Sequence, residues 1–235
     1  MVCCRIQAPS ATDMRCSLMR EINFNYLLAG LIVLMLAIPL LYGYTPFDHP
    51  ELFEIVFGSA LILGVVSLTS DMREFMAGLI VALSALVCAA VSVFSGLILF
   101  RYLMMGTTLV FFLQAIVYST RQVFLAGTVN RNKIVGAICI YLLLALLWAI
   151  LYQFLEVSSP GSFNGIASDP EHMQFHRFVY FSLVTLTTLG YGDIAPATPL
   201  AGVLATLEAV VGVFYIAILV AALVGDFMAA RKPQN

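Results

Sequence analysis

The sequence predicts an all-α membrane protein with six transmembrane helices. Of its 235 residues, 62% are hydrophobic and only 10% are charged, and the mean hydropathy is +1.00. A soluble domain contains roughly 45–50% apolar and about 25% charged residues, so a soluble globule of this composition would lack polar surface. The composition argues against a soluble enzyme, a nucleic-acid-binding protein and a disordered chain. The net charge of −2 is too small to indicate a partner.

Six apolar stretches are long enough to cross a membrane. A spanning helix needs about 20 mostly apolar residues to cover about 30 Å of hydrocarbon. The third and fourth stretches are continuous, and we divide them at residues 95–96 and Arg101 because one helix would be roughly twice the membrane thickness. The predicted spans are residues 25–44, 52–69, 75–97, 102–119, 134–155 and 199–225.

The basic residues indicate which side of the membrane each loop faces. With the N-terminus in the cytoplasm, only Arg101 and Arg177 fall outside the cytoplasmic segments. The other basic residues are Arg5, Arg15, Arg20, Arg73, Arg121, Arg131, Lys133, Arg231 and Lys232. This distribution satisfies the positive-inside rule. We therefore expect a multi-pass protein of the cell membrane, surrounded by lipid, with both termini in the cytoplasm.

A further apolar segment, residues 172–187, is too short and too polar to cross. It is preceded by Asp169, Pro170 and Glu171, which are typical of a helix start. Glycine-rich chain follows it, and non-helical backbone at membrane depth occurs only where it is buried in protein or lines water. The segment is therefore predicted to be a re-entrant half-helix. His172 and His176 lie near its start, but two imidazoles without a third ligand do not indicate a metal site.

The chain after the half-helix reads Thr187-Thr188-Leu189-Gly190-Tyr191-Gly192-Asp193. Glycine tolerates backbone conformations that are barred to other residues, so successive carbonyl groups in this segment can face one axis. Four such strands would stack rings of oxygen atoms that replace the hydration shell of an ion. The Thr188 hydroxyl would add the innermost ring. The negative C-terminal end of the half-helix would favour a cation.

This segment resembles the selectivity filter of potassium channels, whose usual form is Thr-Val/Ile-Gly-Tyr-Gly-Asp. The departure is Leu189 at the Val/Ile position, where the side chain is expected to face away from the ions while its carbonyl group still serves. The resemblance implies potassium as the permeant ligand and no other cofactor. It implies that the ions bind to Thr188, Leu189, Gly190 and Tyr191, and that Gly192 and Asp193 complete the filter.

The resemblance extends to the segment that precedes the filter. Tyr180 and Phe181 occupy the places of an aromatic pair that braces the filter, and Thr187 is a further supporting residue. Val184 stands where some relatives carry a glutamate that bonds to the filter aspartate. That pairing cannot occur here, so Asp193 is expected to bond to Tyr180 instead.

The resemblance also covers the last predicted span. Gly212 follows Asp193 by 19 residues, the place of a gating-hinge glycine, although a small residue can equally serve close helix packing. Ile216, Val220 and Val224 recur at four-residue spacing and would line the inner pore. Their roles rest on the resemblance, since the helix is apolar on every side.

Glu208 lies within the last span, where a carboxylate is costly and indicates a function by default. One interpretation is a modulatory group that supports the filter or senses protons from behind the half-helix. The simpler interpretation is a structural hydrogen bond to a hydroxyl group of that half-helix.

The first four predicted helices lack the basic residues of a voltage sensor. Voltage-gated channels share the six-span plan, but their fourth span carries arginine or lysine at every third position. Residues 102–120 contain no basic residue, and Arg101 and Arg121 only bracket them. Gating by that mechanism is therefore not expected.

The predicted spans, the charges and, for the pore domain, the resemblance divide the chain into five parts. We expect a cytoplasmic tail (1–23), a four-helix region (24–120), a cytoplasmic linker (121–133), a pore domain (134–225) and a short cytoplasmic tail (226–235). The pore domain would comprise an outer helix, a pore helix, the filter and an inner helix. Ten residues follow Gly225, too few for a nucleotide-binding or calcium-binding module, so a soluble ligand-binding domain is not expected.

One filter segment in each chain implies that four chains surround one pore, so we expect a homotetramer. Conduction would be passive, and an enzyme is not expected. The expected function is a potassium-selective channel. Two alternatives stay open: a weakly selective cation channel in which Leu189 loosens the filter, and a non-conducting regulatory or scaffold subunit. A secondary transporter is disfavoured because only one half of the chain contains an interrupted helix.

Overall fold

The computed structural model describes residues 24–44, 72–95, 97–125, 131–166 and 174–230. These residues fold almost entirely as helices, which confirms that the protein is all-α, as predicted, whereas the tetramer stays a prediction. In chain order the elements are α1 (Phe24–Tyr44), α2 (Met72–Ser95), α3 (Ile98–Leu125), α4 (Arg131–Ser158), β1 (Phe163–Asn164), α5 (Gln174–Leu186), β2 (Ala195–Pro196) and α6 (Pro199–Ala230). The span predicted at 52–69 lies outside the described residues, as do Asp169, Pro170, Glu171 and His172.

Three of the described helices are long and apolar enough to cross a membrane. Their spanning portions are Ile98–Val123 in α3, Arg131–Ser158 in α4 and Pro199–Ala222 in α6. Shorter apolar helices, Phe24–Leu36 and Met76–Val91, lie in α1 and α2. The protein is therefore a multi-pass membrane protein, and the total of six spans stays a prediction.

The helices extend beyond several of the predicted spans. The predicted third and fourth spans are separate helices, with the break between Ser95 and Ile98. However, α3 continues to Leu125 and α4 begins at Arg131, so both enter the predicted linker, and α6 continues to Ala230 in the predicted C-terminal tail. Long charged side chains at the end of a span can reach the polar interface, so a charge marks the edge of the apolar region without ending the helix.

α4 is the central helix of the described fold. It packs against α1, α3, α5 and α6, and nearly half of its residues are buried. α1 meets it through Phe24, Leu27, Leu31 and Leu34, all buried. Their three- and four-residue spacing places them on one face of the helix. The core therefore lies around α4, with α5 held between α4 and α6.

The chain after α5 returns along a non-helical path, residues 187–194, which we call the return segment. A short antiparallel pair anchors its far end, with Phe163 opposite Pro196 and Asn164 opposite Ala195. The Ala197 amide also donates to the Ser162 carbonyl oxygen at 2.8 Å. The return segment is therefore held by α5 at one end and by the strand that follows α4 at the other.

α6 contacts the rest of the chain along one edge only. Ala201, Glu208 and Gly212 are buried there. Leu204, Tyr215 and Leu219 are partly buried against the core. Many other large apolar side chains of α6 are exposed in the single chain: Leu200, Val203, Leu207, Val210, Val211, Val213, Phe214, Ile216, Ile218, Val220 and Val224. This wide apolar surface is suited to contact with lipid or with other protein chains.

Candidate functional site

The return segment begins where the last turn of α5 holds it. The amide groups of Leu189 and Gly190 both donate to the Val184 carbonyl oxygen, at 2.9 and 3.3 Å, and the Thr188 amide donates to the Thr185 carbonyl oxygen at 2.9 Å. These bonds use carbonyl groups that a helix end leaves without partners. The backbone of residues 188–190 is thus fixed directly to α5.

The backbone of the return segment alternates in conformation. Thr188, Gly190 and Gly192 have positive φ angles of 59°, 58° and 80°, whereas Leu189 and Tyr191 do not. Thr188 is the one non-glycine residue with positive φ among the described residues. For a β-branched residue this conformation is an outlier, and such strained residues cluster at functional sites.

The carbonyl groups of residues 188–191 differ from the amides of residues 188–190, because they are not bonded to α5. Within the described part of the chain, the carbonyl groups of Thr188, Leu189, Gly190 and Tyr191 accept no hydrogen bond, and the Thr188 hydroxyl makes none. In contrast, the Thr187 hydroxyl donates to the Leu183 carbonyl oxygen at 2.7 Å. All seven residues from 187 to 193 are exposed, and Tyr191 is 66% exposed. A row of oxygen atoms is therefore available to a ligand or to other chains.

Tyr180 and Asp193 form the hydrogen bond that the sequence predicts. The phenol of Tyr180, on α5, donates to the Asp193 carboxylate, and this bond raises the pKa of Tyr180 above its ordinary value. The hydrogen bond ties the far end of the return segment to the middle of α5.

Phe181 lies on a different side of α5 from Tyr180. It is 5% exposed, and its ring centroid lies 5.0 Å from that of Tyr152 and 5.5 Å from that of Phe163. Phe178 joins the same group, which we call the aromatic cluster. Phe181 therefore fixes α5 against α4 and β1, while Tyr180 makes the hydrogen bond to the return segment.

Gly212 lies where α6 crosses the end of α5. A Cβ atom at this position would lie 2.2 Å from the Leu186 carbonyl oxygen, and α6 is continuous through the glycine. The same carbonyl oxygen accepts a hydrogen bond from the Tyr141 hydroxyl at 3.0 Å. The geometry thus favours close packing as the reason for glycine here. Ile216, Val220 and Val224 lie further along α6 and are exposed.

Glu208 lies one turn before Gly212 and is completely buried. Its carboxyl group is hydrogen-bonded through Oε2 to the Tyr152 hydroxyl of α4 and through Oε1 to the Ser182 hydroxyl of α5. The hydrogen bond to a hydroxyl of the half-helix, expected from the sequence, is present. The sequence analysis did not identify Ser182, Tyr152 or Tyr141. The sequence offers one sign of them, a hydroxyl group within a largely apolar helix.

A family of known proteins matches this part of the chain. Residues 138–229 match a family model described as an ion channel. The match covers most of α4, the strand pair, α5, the return segment and nearly all of α6. In sequence, this part of the chain is therefore similar to ion channels.

Two curated proteins also match part of the chain. The chain is similar to potassium voltage-gated channel subfamily A member 10 of Mus musculus and to the Homo sapiens protein of the same name. Each is 35% identical over 82 residues, which cover 35% of this chain and 14% of the relative. The chain therefore matches only a small part of the relatives' length. No solved structure matches the chain. The comparisons confirm the resemblance to the potassium channel family.

Proposed function

We propose that the protein is a potassium-selective ion channel and that ions pass along the carbonyl groups of Thr188, Leu189, Gly190 and Tyr191. The alternating φ angles of the return segment carry this proposal. In an ordinary strand, successive residues point to opposite sides. A left-handed residue at every second position instead lets successive carbonyl groups turn toward one side. Rings of such oxygen atoms can replace the hydration shell of potassium.

Three features of α5 support this role. The amides of residues 188–190 are bonded to its last turn, which holds the strained Thr188 backbone in place. Holding a residue in such a conformation costs on the order of 1–3 kcal/mol, so the surrounding structure must impose it. Tyr180 holds Asp193 at the other end. The C-terminal end of the helix dipole also favours a cation beside the return segment.

A complete site would need several copies of the chain. One chain supplies one oxygen atom to each ring, and we propose that four copies meet around a central pore. The exposed apolar surface of α6 and the exposed Leu189 and Tyr191 side chains fit burial against neighbouring subunits. In this arrangement α4, α5 and α6 would be the outer, pore and inner helices. Gly192 and Asp193 would complete the filter, and Ile216, Val220 and Val224 would line the inner pore.

The remaining features follow the same proposal. Potassium is the permeant ion, no further cofactor takes part, and no bond is made or broken. The channel lies in the cell membrane with both termini in the cytoplasm. The basic side chains of α3, Arg101 and Arg121, lie near its two ends, which favours a gating mechanism other than a charged moving helix.

The test is the reversal potential of the purified protein in planar bilayers, with potassium on one side and sodium on the other. We expect a value close to the potassium limit. A value near zero with measurable current would support a weakly selective cation pore instead. A folded, reconstituted protein that carries no current under any condition would contradict the proposal and favour a non-conducting subunit.

A matched pair of variants tests the site itself. Gly190→Ala places a side chain on a residue at φ 58°, where an L-residue costs roughly 1–2 kcal/mol, so selective current should be lost. Gly202→Ala is the control, because Gly202 lies in α6 and a Cβ there would meet nothing within 4 Å in the chain. Selective current that survives Gly190→Ala would overturn the assignment of the return segment.

A further inference from the structure

A buried polar cluster joins α4, α5 and α6 behind the return segment. Glu208, Ser182 and Tyr152 each have 0% of their surface exposed. The Glu208 carboxyl group is hydrogen-bonded to both hydroxyls, and Ser182 Oγ also lies 2.8 Å from the Ala145 carbonyl oxygen as a hydrogen-bond donor. We call these three side chains, with the Ala145 carbonyl group, the carboxyl cluster.

The carboxyl cluster contains three hydrogen bonds, and each needs one proton. Tyr152 and Ser182 supply one proton each, whereas a carbonyl oxygen and an ionised carboxylate only accept. Because Ser182 has one proton, it cannot donate to Ala145 and Glu208 together. All three bonds form when Glu208 is a neutral carboxylic acid that donates from Oε1 to Ser182. Ser182 then donates to Ala145, and Tyr152 donates to Oε2.

The surroundings of Glu208 offer nothing to balance a negative charge. The helices packed against it contribute Ser182 from α5 and Tyr152 from α4. Tyr141 of α4 is a further titratable group, and it lies farther away. β2, which also packs against α6, consists of Ala195 and Pro196. Among the described residues, no cation contacts the carboxyl group. An ionised carboxylate without a paired charge is costly to bury.

We propose that Glu208 binds a proton and that the neutral carboxyl group holds α5 in position between α4 and α6. Ser182 lies one turn before Leu186 on α5, and Glu208 lies one turn before Gly212 on α6. The carboxyl cluster therefore continues the seam at which Gly212 meets Leu186. α5 in turn holds the amides of Leu189 and Gly190 through the Val184 carbonyl group. Glu208 acts on the return segment as a positioning residue, through α5.

Loss of this proton would break one bond of the cluster and leave a buried charge. Conduction should therefore fall as the pH rises past the deprotonation of Glu208. Glutamine reproduces the neutral form, because its amide group donates to Ser182 and its oxygen accepts from Tyr152. The effect on conduction rests on the proposed channel function, whereas the bound proton does not.

Infrared difference spectroscopy on the purified, reconstituted protein tests the proton directly. At neutral pH we expect the carbonyl stretch of a neutral carboxylic acid in the wild type, its loss when the pH is raised, and its absence in Glu208→Gln. Glu156→Gln is the matched control and should keep the band. Glu156 is only half-buried, and it accepts hydrogen bonds from the amides of Gly161 and Phe163. A wild type without the acid band at neutral pH would overturn the proposal without any variant.

Bilayer recordings test the positioning role. Glu208→Gln should conduct like the wild type at neutral pH and keep its current at alkaline pH, where the wild type loses current. Glu208→Ala leaves Ser182 and Tyr152 without their shared partner, and its current should fall by about tenfold. Equal alkaline loss of current in the wild type and in Glu208→Gln would overturn the positioning role. If no form conducts, the proposed function fails, and the infrared band still decides whether Glu208 holds a proton.

Discussion

Gly212 of α6 lies directly against the backbone carbonyl group of Leu186, the last residue of α5. The contact leaves no room for a side chain, since a Cβ atom at Gly212 would come within 2.2 Å of the Leu186 oxygen and 3.0 Å of its carbonyl carbon. The Tyr141 hydroxyl bonds to the same oxygen from α4. Three helices therefore meet at the residue that immediately precedes the return segment.

This contact predicts that Gly212→Ala destabilises the protein. The atoms in the way belong to backbone, so α5 or α6 must shift, and overpacking of this kind typically costs about 1–3 kcal/mol. The unfolding temperature of the purified protein in detergent should fall, and so should the current after reconstitution. Gly202→Ala, on the same helix with open space around it, should leave both unchanged. An unchanged unfolding temperature in Gly212→Ala would favour the alternative role of a hinge.

The bond between Tyr180 and Asp193 predicts a pH effect that absorbance can measure. Because this bond raises the pKa of Tyr180, its phenol should stay protonated to a higher pH than an ordinary tyrosine. Asp193→Asn removes the negative charge, so Tyr180 should then ionise at lower pH. The wild type and Asp193→Asn are each titrated together with a form that also carries Tyr180→Phe. The difference in tyrosinate absorbance within each pair is the signal of Tyr180. If Tyr180 ionises at the same pH in the wild type and in Asp193→Asn, the result would contradict the hydrogen bond.

The hydrogen bond between Tyr180 and Asp193 should also affect ion selectivity. Tyr180→Phe keeps the ring and removes the hydroxyl, so the far end of the return segment loses its tie to α5. We expect a lower ratio of potassium to sodium permeability in this variant. Tyr102→Phe is a suitable control, because Tyr102 packs edge-on against Phe154, a contact that phenylalanine preserves. A permeability ratio that stays at the wild-type value in Tyr180→Phe would show that the bond does not support the filter.

We predict that replacing the Leu189 side chain leaves potassium selectivity unchanged. Its amide is fixed to Val184, and the proposed ligand is its backbone carbonyl group, so the side chain should not set selectivity. Leu189→Val restores the residue usual in potassium channels and should leave the reversal potential unchanged. A clear rise in potassium selectivity would instead show that leucine loosens the filter, as in the weakly selective alternative.

Much of the candidate site follows from local sequence. The glycines at 190 and 192 predict a backbone that leaves the ordinary regions, and both have positive φ. The absence of a glutamate at Val184 predicts the bond between Tyr180 and Asp193, which is present. The positive φ of Thr188 could not be predicted from propensity, because a β-branched residue disfavours it. Contacts with α5 impose it.

The sequence by itself determined that this is a helical membrane protein, where its apolar helices lie, and which segment resembles a potassium filter. These depend on composition, on the length of apolar runs and on residues adjacent in the chain. The tertiary structure alone decided which residues contact Glu208, why position 212 is glycine and where Phe181 packs. α6 is apolar on every side, so its sequence contains no period that marks a buried face. The partners of Glu208 lie 26 and 56 residues away, and only the packing of α4, α5 and α6 brings them together.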